Sequence, residues 1–225
     1  MEASLYHGHM SVNLAEELLL LGYEDDGTPT SDSGTLDYGL AGAVLVELAA
    51  AGRVRLDRGR VRVDQPGPTG DPVLDHGLRA IASYGRDATP DELLDGLRSG
   101  LRDVVLDRLI DRGVLRRERH RVLLVPSTRF PSTNGGEPAP ETETRGRLAA
   151  LLAGAPADAR THALATLALA AGLTASAFPG VARGDIERRL AALPDPWPAA
   201  AVRTLLDEVQ VSIIAITTMF MTGSN

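Results

Sequence analysis

Arginine supplies every basic side chain of this sequence, since all 23 Lys-or-Arg positions are arginine. A guanidinium fork matches the oxygens of a phosphate or carboxylate with two parallel hydrogen bonds and stays charged at physiological pH. Where arginines gather, anion binding is the chemistry to test. Two places qualify. Arg53, Arg55, Arg60 and Arg62 alternate with apolar residues and form a strip able to contact phosphate on one face of an extended segment. The simpler reading of that strip is a solvated face in a chain that uses arginine for every positive charge. The denser place runs from Leu97 to Arg121, where eight arginines meet four acids (Asp103, Asp107, Asp111 and Glu118). Within it Arg98 and Arg102 are four residues apart. On one continuous helix they share a face bordering the apolar stripe and can hold an anion between their forks. Arg108, Arg112 and Arg116 repeat the spacing, with acids three or four residues away that can pair with them instead.

Other chemistry finds little support. There are no cysteines, which removes disulfides, thiolate catalysis and Cys-ligated zinc together. His76, His120 and His162 fall in different predicted elements without metal-ligand spacing. Gly39-Leu-Ala-Gly42 lies inside a predicted helix and lacks the Lys-Ser/Thr pair of a phosphate-cradling loop. Asp71 and Asp75 are four apart, but Asp71 reads as a helix cap. The expectation is a non-enzymatic protein with no metal or cofactor. Its net charge of -7 means that any binding to an anionic partner must use a local basic patch.

The elements that must position these residues are mostly helices. Aromatics make up only 4% of the chain, so the core must come from Leu, Val, Ile and Ala, which favours packed helices. Val12 to Leu21 and a stripe of Leu36, Leu40, Val44, Leu45 and Leu48 predict two helices, stopped by Gly22 and Gly52. Arg53 to Val63 predicts a β-hairpin about Asp57-Arg58-Gly59. Asp71 caps a helix to about Tyr84, and Thr89-Pro90-Asp91-Glu92 opens another that runs on through Leu97, Leu101, Val104, Val105 and Leu109 to Arg112. A second hairpin follows, with Val114-Leu115 on one arm, Val122 to Val125 on the other, and a charged turn from Arg117 to Arg121. Pro126 to Pro140 reads as a loop and the place for disorder. Helices are then predicted over Glu141 to Leu152, Ala157 to Ala171, Val181 to Leu193, and Pro198 to Phe220. The apolar stretch from Val211 to Met221 is too short to span a bilayer and reads as a buried helix. Residues 1–9, with His7 and His9, read as a tag remnant before a native start at Met10, and no signal peptide is expected. The arginine-only usage reads as the signature of a GC-rich bacterial genome. The fold class is therefore mainly α: a compact single-domain multi-helix bundle over 10–225 with two β-hairpins.

Helix followed by basic hairpin also describes a winged helix, so a nucleic-acid-binding reading stands as the alternative. The acidic overall charge and the lack of polar base-reading residues before the hairpin weigh against it. Four consecutive apolar residues, Val122, Leu123, Leu124 and Val125, break the alternation of a half-exposed strand. They are either buried on both sides or offered to a membrane or another protein copy. A scaffold for another protein's tail is a further reading of the same run.

Four motifs taken in order resemble the Golgi phosphoprotein 3 family. They are Glu16-Glu-Leu-Leu-Leu-Leu-Gly22; Gly39-Leu-Ala-Gly-Ala-Val-Leu-Val-Glu-Leu48 with Gly52-Arg-Val; Pro68-Thr-Gly-Asp71 with Leu74-Asp75; and Asp111-Arg-Gly-Val-Leu115. The match is good from Leu14 to Val125, and beyond it rests on helical character alone. The resemblance implies a helical fold carrying a hairpin, peripheral membrane attachment through phosphatidylinositol 4-phosphate, and self-association involving the hairpin; the lack of cysteines fits the expected cytoplasmic location. It also implies a headgroup site built from a Trp, an Arg in the Gly-Leu-x-Gly motif and two helix arginines. Carried over by position, Arg102 matches one of these. Asp32, Ala41 and Ser99 stand at the other three, with Arg98 beside Ser99. The expected partner is an anionic lipid, bound by Arg102 and Arg98, with Val122 to Val125 touching the membrane or a second copy.

Overall fold

In the computed structural model the described residues are 12–30, 33–84, 88–122, 125–193 and 200–222. Helix α1 (Leu14–Leu21) opens on a capping box: the Asn13 side chain accepts from Glu16 N at 2.8 Å, and the Glu16 carboxylate accepts from Asn13 N at 2.7 Å. All eight of its residues are buried. Helix α2 (Ser33–Ala50) is the central element. Around it pack α1, α3 (Pro72–Tyr84), α4 (Pro90–Leu97), α5 (Leu101–Asp111), α7 (Ala159–Ala170) and α10 (Ala200–Thr222). The predicted stripe of Leu36, Leu40, Val44, Leu45 and Leu48 is completely buried. Gly42 lets α10 approach closely, because a Cβ there would lie 2.6 Å from Val209 Cγ1. The Gly-Leu-x-Gly motif thus has a packing role.

The first hairpin forms as expected, with β1 (Val54–Asp57) paired antiparallel to β2 (Arg60–Val63) and Arg58-Gly59 as a two-residue turn. Val54 and Val61 are buried beneath it. The Pro-Thr-Gly-Asp motif is a cap. Asp71 Oδ1 accepts from Val73 N at 2.8 Å and from Leu74 N at 3.2 Å, while Asp75 accepts from Thr69 N and Oγ1 at 2.6 and 2.7 Å.

Four expectations are corrected. The helix predicted from Thr89 to Arg112 is two helices. Arg98 ends α4, and Gly100 at φ 71 turns the chain before α5 begins. A left-handed residue cannot continue an α-helix, and glycine adopts that conformation without penalty. The second hairpin has a different register. Strand β3 (Glu118–Val122) pairs with β4 (Val125–Arg129), Leu115 bridges to Ser132, and Val122 lies opposite Val125. Arg117 to Arg121 is therefore mostly strand rather than turn. A two-stranded ribbon that is not packed into a core tolerates charge along its length. The stretch expected as a loop after Pro126 starts as β4 and continues as a tied turn, with Arg116 Nη1 donating to Ser132 O at 2.6 Å and Thr133 Oγ1 to Gly113 O at 2.7 Å. Last, the Val211–Met221 stretch is not a buried helix: among its described side chains only Ser212 and Ile213 are buried. Val209, Ser212 and Ile213 face the core, while Val211 and Met219 are 66% and 74% exposed.

The last third is helical: α6 (Ala139–Leu152), α7, a short α8 (Thr174–Ala177), α9 (Arg183–Ala191) and α10. A charged network ties the two ends of the sequence together. Glu17 of α1 pairs with Arg147 of α6 and Arg160 of α7, and Arg160 also pairs with Glu47 of α2 at 2.8 Å. Glu16, fully buried, lies 3.4 Å from Arg112 at the end of α5. Burial pushes both glutamates above the usual carboxylate range, and the arginines oppose that shift. The result is mainly α with two antiparallel hairpins, in one compact domain. Among the described residues no helix is long and apolar enough to cross a membrane.

Candidate anion-binding site

The break at Gly100 decides where the two candidate arginines go. They do not share a helix face. Arg98 caps the C-terminus of α4, and Arg102 lies in the first turn of α5. Both nevertheless reach the start of α2. Arg102 Nε donates to Asp37 Oδ1 at 2.7 Å, in a pair whose side chains are 18% and 24% exposed. The Arg98 guanidinium sits 5.0 Å from the centre of the Tyr38 ring and donates to Asp95 Oδ1 from Nε at 2.9 Å and Nη2 at 2.8 Å. Tyr38 donates its hydroxyl to the same Asp95 oxygen at 3.1 Å.

The electrostatics follow from these contacts. Burial pushes the Asp37 carboxyl up, while the Arg102 and Arg98 guanidinium groups pull it back. Hydrogen bonds from Arg98 and Tyr38 hold Asp95 below the usual carboxylate range. Burial raises the Tyr23 phenol, opposed by Arg102 beside it. Arg98 and Arg102 therefore converge on one small surface with Tyr23, Asp37, Tyr38 and Asp95. The sequence offered no signal for Asp37, which meets Arg102 across 65 residues, or for the Tyr38 contact with Asp95 across 57, whereas the Asp95–Arg98 pair is a local i,i+3 spacing.

The remaining expected positions fall elsewhere. Ala41 is completely buried in α2, so that position offers no side chain to a headgroup. Ser99 is exposed in the turn between α4 and α5. Asp32 lies outside the described residues. In the first hairpin's strip, Arg55 pairs with Asp64 and Arg62 with Asp57. Much of the local excess of arginine after Leu97 is matched too: Arg116 with Glu118, and Arg117 with Asp107.

Val122 and Val125 end the second ribbon, and Leu123 and Leu124, which join them in sequence, lie outside the described residues. The ribbon is anchored at its other end, where Arg129 pairs with Asp26 and Phe130 packs edge-on against Tyr23. Among the described residues it makes no extensive contact with any helix.

A cleft of about 540 Å³ is lined by Tyr23 together with Glu24, Asp25, Glu137, Glu141 and Arg145 among others. Its four carboxylates against one guanidinium make it a poor host for an anion. Periodicity could not reveal it, since its walls come from three distant parts of the chain.

With this geometry in place, the class is a helical domain with two arginines gathered at the start of its central helix. Residues 14–209 match the model of the Golgi phosphoprotein 3 (GPP34) family, and the chain belongs to that family.

Proposed function

We propose that this protein is a non-enzymatic peripheral membrane protein that recognises an anionic lipid headgroup. Arg102 and Arg98 are its headgroup contacts. The observation that carries this reading is their convergence on the first turns of α2, from the end of one helix and the start of another, in a member of a family known for lipid and phosphoinositide binding. The guanidinium forks supply the anion chemistry. The run Val122 to Val125, whose described ends Val122 and Val125 pair in a ribbon making no extensive contact with any helix among the described residues, supplies an apolar contact with the bilayer or with a second copy. The location that follows is cytoplasmic, on the inner face of the membrane. Flotation with vesicles containing phosphatidylinositol 4-phosphate, phosphatidylinositol or cardiolipin tests the reading. Recovery should depend on the anionic lipid and fall with salt. Equal recovery with neutral vesicles at low salt would sink it.

The winged-helix alternative loses its motive. Helix α2 is buried on nearly every side and cannot enter a groove. The exposed face of α5 presents Asp103, Asp107 and Asp111, which would repel a phosphate backbone. A mobility-shift assay showing salt-dependent DNA or RNA binding would reinstate it.

A further inference from the structure

The two candidate arginines are already occupied. Asp37 holds Arg102 at 2.7 Å, and Asp95 holds Arg98 at 2.8 and 2.9 Å. These carboxylates come from elements other than the ones that present their arginines to the site, or from the preceding turn. They sit where an incoming anion must bind. We propose that Asp37 and Asp95 set a charge threshold for the site: each must be displaced from its guanidinium, so a headgroup is admitted only if it carries more negative charge than the carboxylate it replaces. This inference rests on the membrane-binding reading above.

The physical case is one of exchange. A singly charged phosphodiester that replaces Asp37 on Arg102 trades one charge-assisted pair for another. It leaves the displaced carboxylate close by to repel it, so nothing is gained. A phosphomonoester carries about -1.5 to -2 charges near neutral pH and three strong acceptor oxygens, so it can bridge both guanidinium groups and outcompete the carboxylates. Asp37 is the stronger bar. Its pair with Arg102 is mostly shielded from solvent, whereas the side chains of Asp95 and Arg98 are 63% and 41% exposed. Asp37 also lies within the field of both arginines. Tyr38 fixes Asp95 through its hydroxyl while its ring underlies Arg98, so the second carboxylate is held in place rather than left mobile.

The test compares wild type with Asp37→Asn, Asp95→Asn and the double variant. Vesicles contain either phosphatidic acid, a phosphomonoester, or phosphatidylglycerol, a monoanionic phosphodiester, at matched surface charge. Asp103→Asn is the control: it removes the same charge from the exposed face of the same neighbourhood. Wild type should favour the phosphomonoester. Asp37→Asn should tighten binding to phosphatidylglycerol about five- to tenfold, the range expected for releasing one shielded charge pair, and Asp95→Asn should tighten it less. Asp103→Asn should change it by less than twofold. Chemical unfolding of each variant checks that it folds; Asp95→Asn, at the more exposed pair, carries the test if Asp37→Asn does not. Binding of wild type with no difference between Asp37→Asn and Asp103→Asn overturns the threshold and leaves the membrane reading standing. Binding by the double variant alone supports the threshold. Failure of every protein to bind either vesicle overturns both.

Discussion

Glu141 offers a sharp test of the buried electrostatics. Its side chain is 6% exposed, at the start of α6, and Arg145 one turn on donates to its Oε1 from Nη2 at 2.6 Å and from Nε at 3.0 Å. Arg145 also reaches Glu137 and the Ser176 carbonyl, which ties α6 to α8. Burial outweighs the arginine and raises the Glu141 carboxyl from 4.5 to about 7. An acid whose folded-state value is raised binds its proton more tightly in the folded than in the unfolded protein. Its contribution is therefore most favourable below the unfolded value and is lost as the pH rises from about 4.5 to about 7. At about 1.4 kcal/mol per pH unit the loss is on the order of 3 kcal/mol. Glu141→Gln keeps an acceptor for Arg145 and removes the titration. Urea unfolding of both proteins at pH 5 and pH 8.5 should show the wild type losing about 2.5 kcal/mol relative to the variant over that interval. Other titrating groups are common to both proteins and cancel in the difference. Parallel stability curves would refute the assignment, because the carboxylate would then be ionised in the folded state at no cost.

The packing and the charge network make two further predictions. Gly42→Ala gains about 1 kcal/mol of helix propensity, but its methyl group would meet Val209 Cγ1 at 2.6 Å and Ile213 and Leu167 at 3.1 Å; overpacking of about 1–3 kcal/mol should win and lower the urea midpoint. A rise in the midpoint would mean that α10 yields freely. Glu17→Gln leaves Arg147 and Arg160 short of a counter-charge at the junction of α1, α6 and α7, and should cost about 2 kcal/mol after allowance for the partial exposure of both arginines. A double-mutant cycle with Glu47→Gln should show coupling, since Arg160 serves both glutamates; strict additivity would contradict a shared network.

The fold was legible where a local rule decides it. The α2 stripe, the Asp71 and Thr89 caps and the Asp57-Arg58-Gly59 hairpin all formed as their residues require. Misreadings came where tertiary context overrides the pattern. The stripe from Leu97 to Leu109 keeps its apolar spacing through Gly100, so periodicity alone carried the helix across a residue that in fact turns it. The charged run from Arg117 to Arg121 looked like a turn because alternation cannot identify a strand of an unpacked ribbon. At the site, sequence spacing brought Arg98 and Arg102 together for the wrong reason, as one helix face. Their real meeting place is Asp37 and Tyr38 of α2, some sixty residues away. Asp37 was invisible beforehand because it meets Arg102 only in the folded chain, whereas Asp95 stands three residues before Arg98 and only its link to Tyr38 needed the fold.

The central claim is that Arg102 contacts an anionic headgroup, and the most direct test is vesicle binding by wild type, Arg102→Gln and Arg102→Lys side by side. Loss of a charged, shielded hydrogen-bonding group should weaken binding to phosphatidylinositol 4-phosphate vesicles about tenfold or more in Arg102→Gln. Arg102→Lys should recover only part of it, because a point charge replaces a two-pronged fork. Unfolding curves that match wild type would confirm that both variants are folded. Affinity for anionic vesicles unchanged in a folded Arg102→Gln would contradict the account.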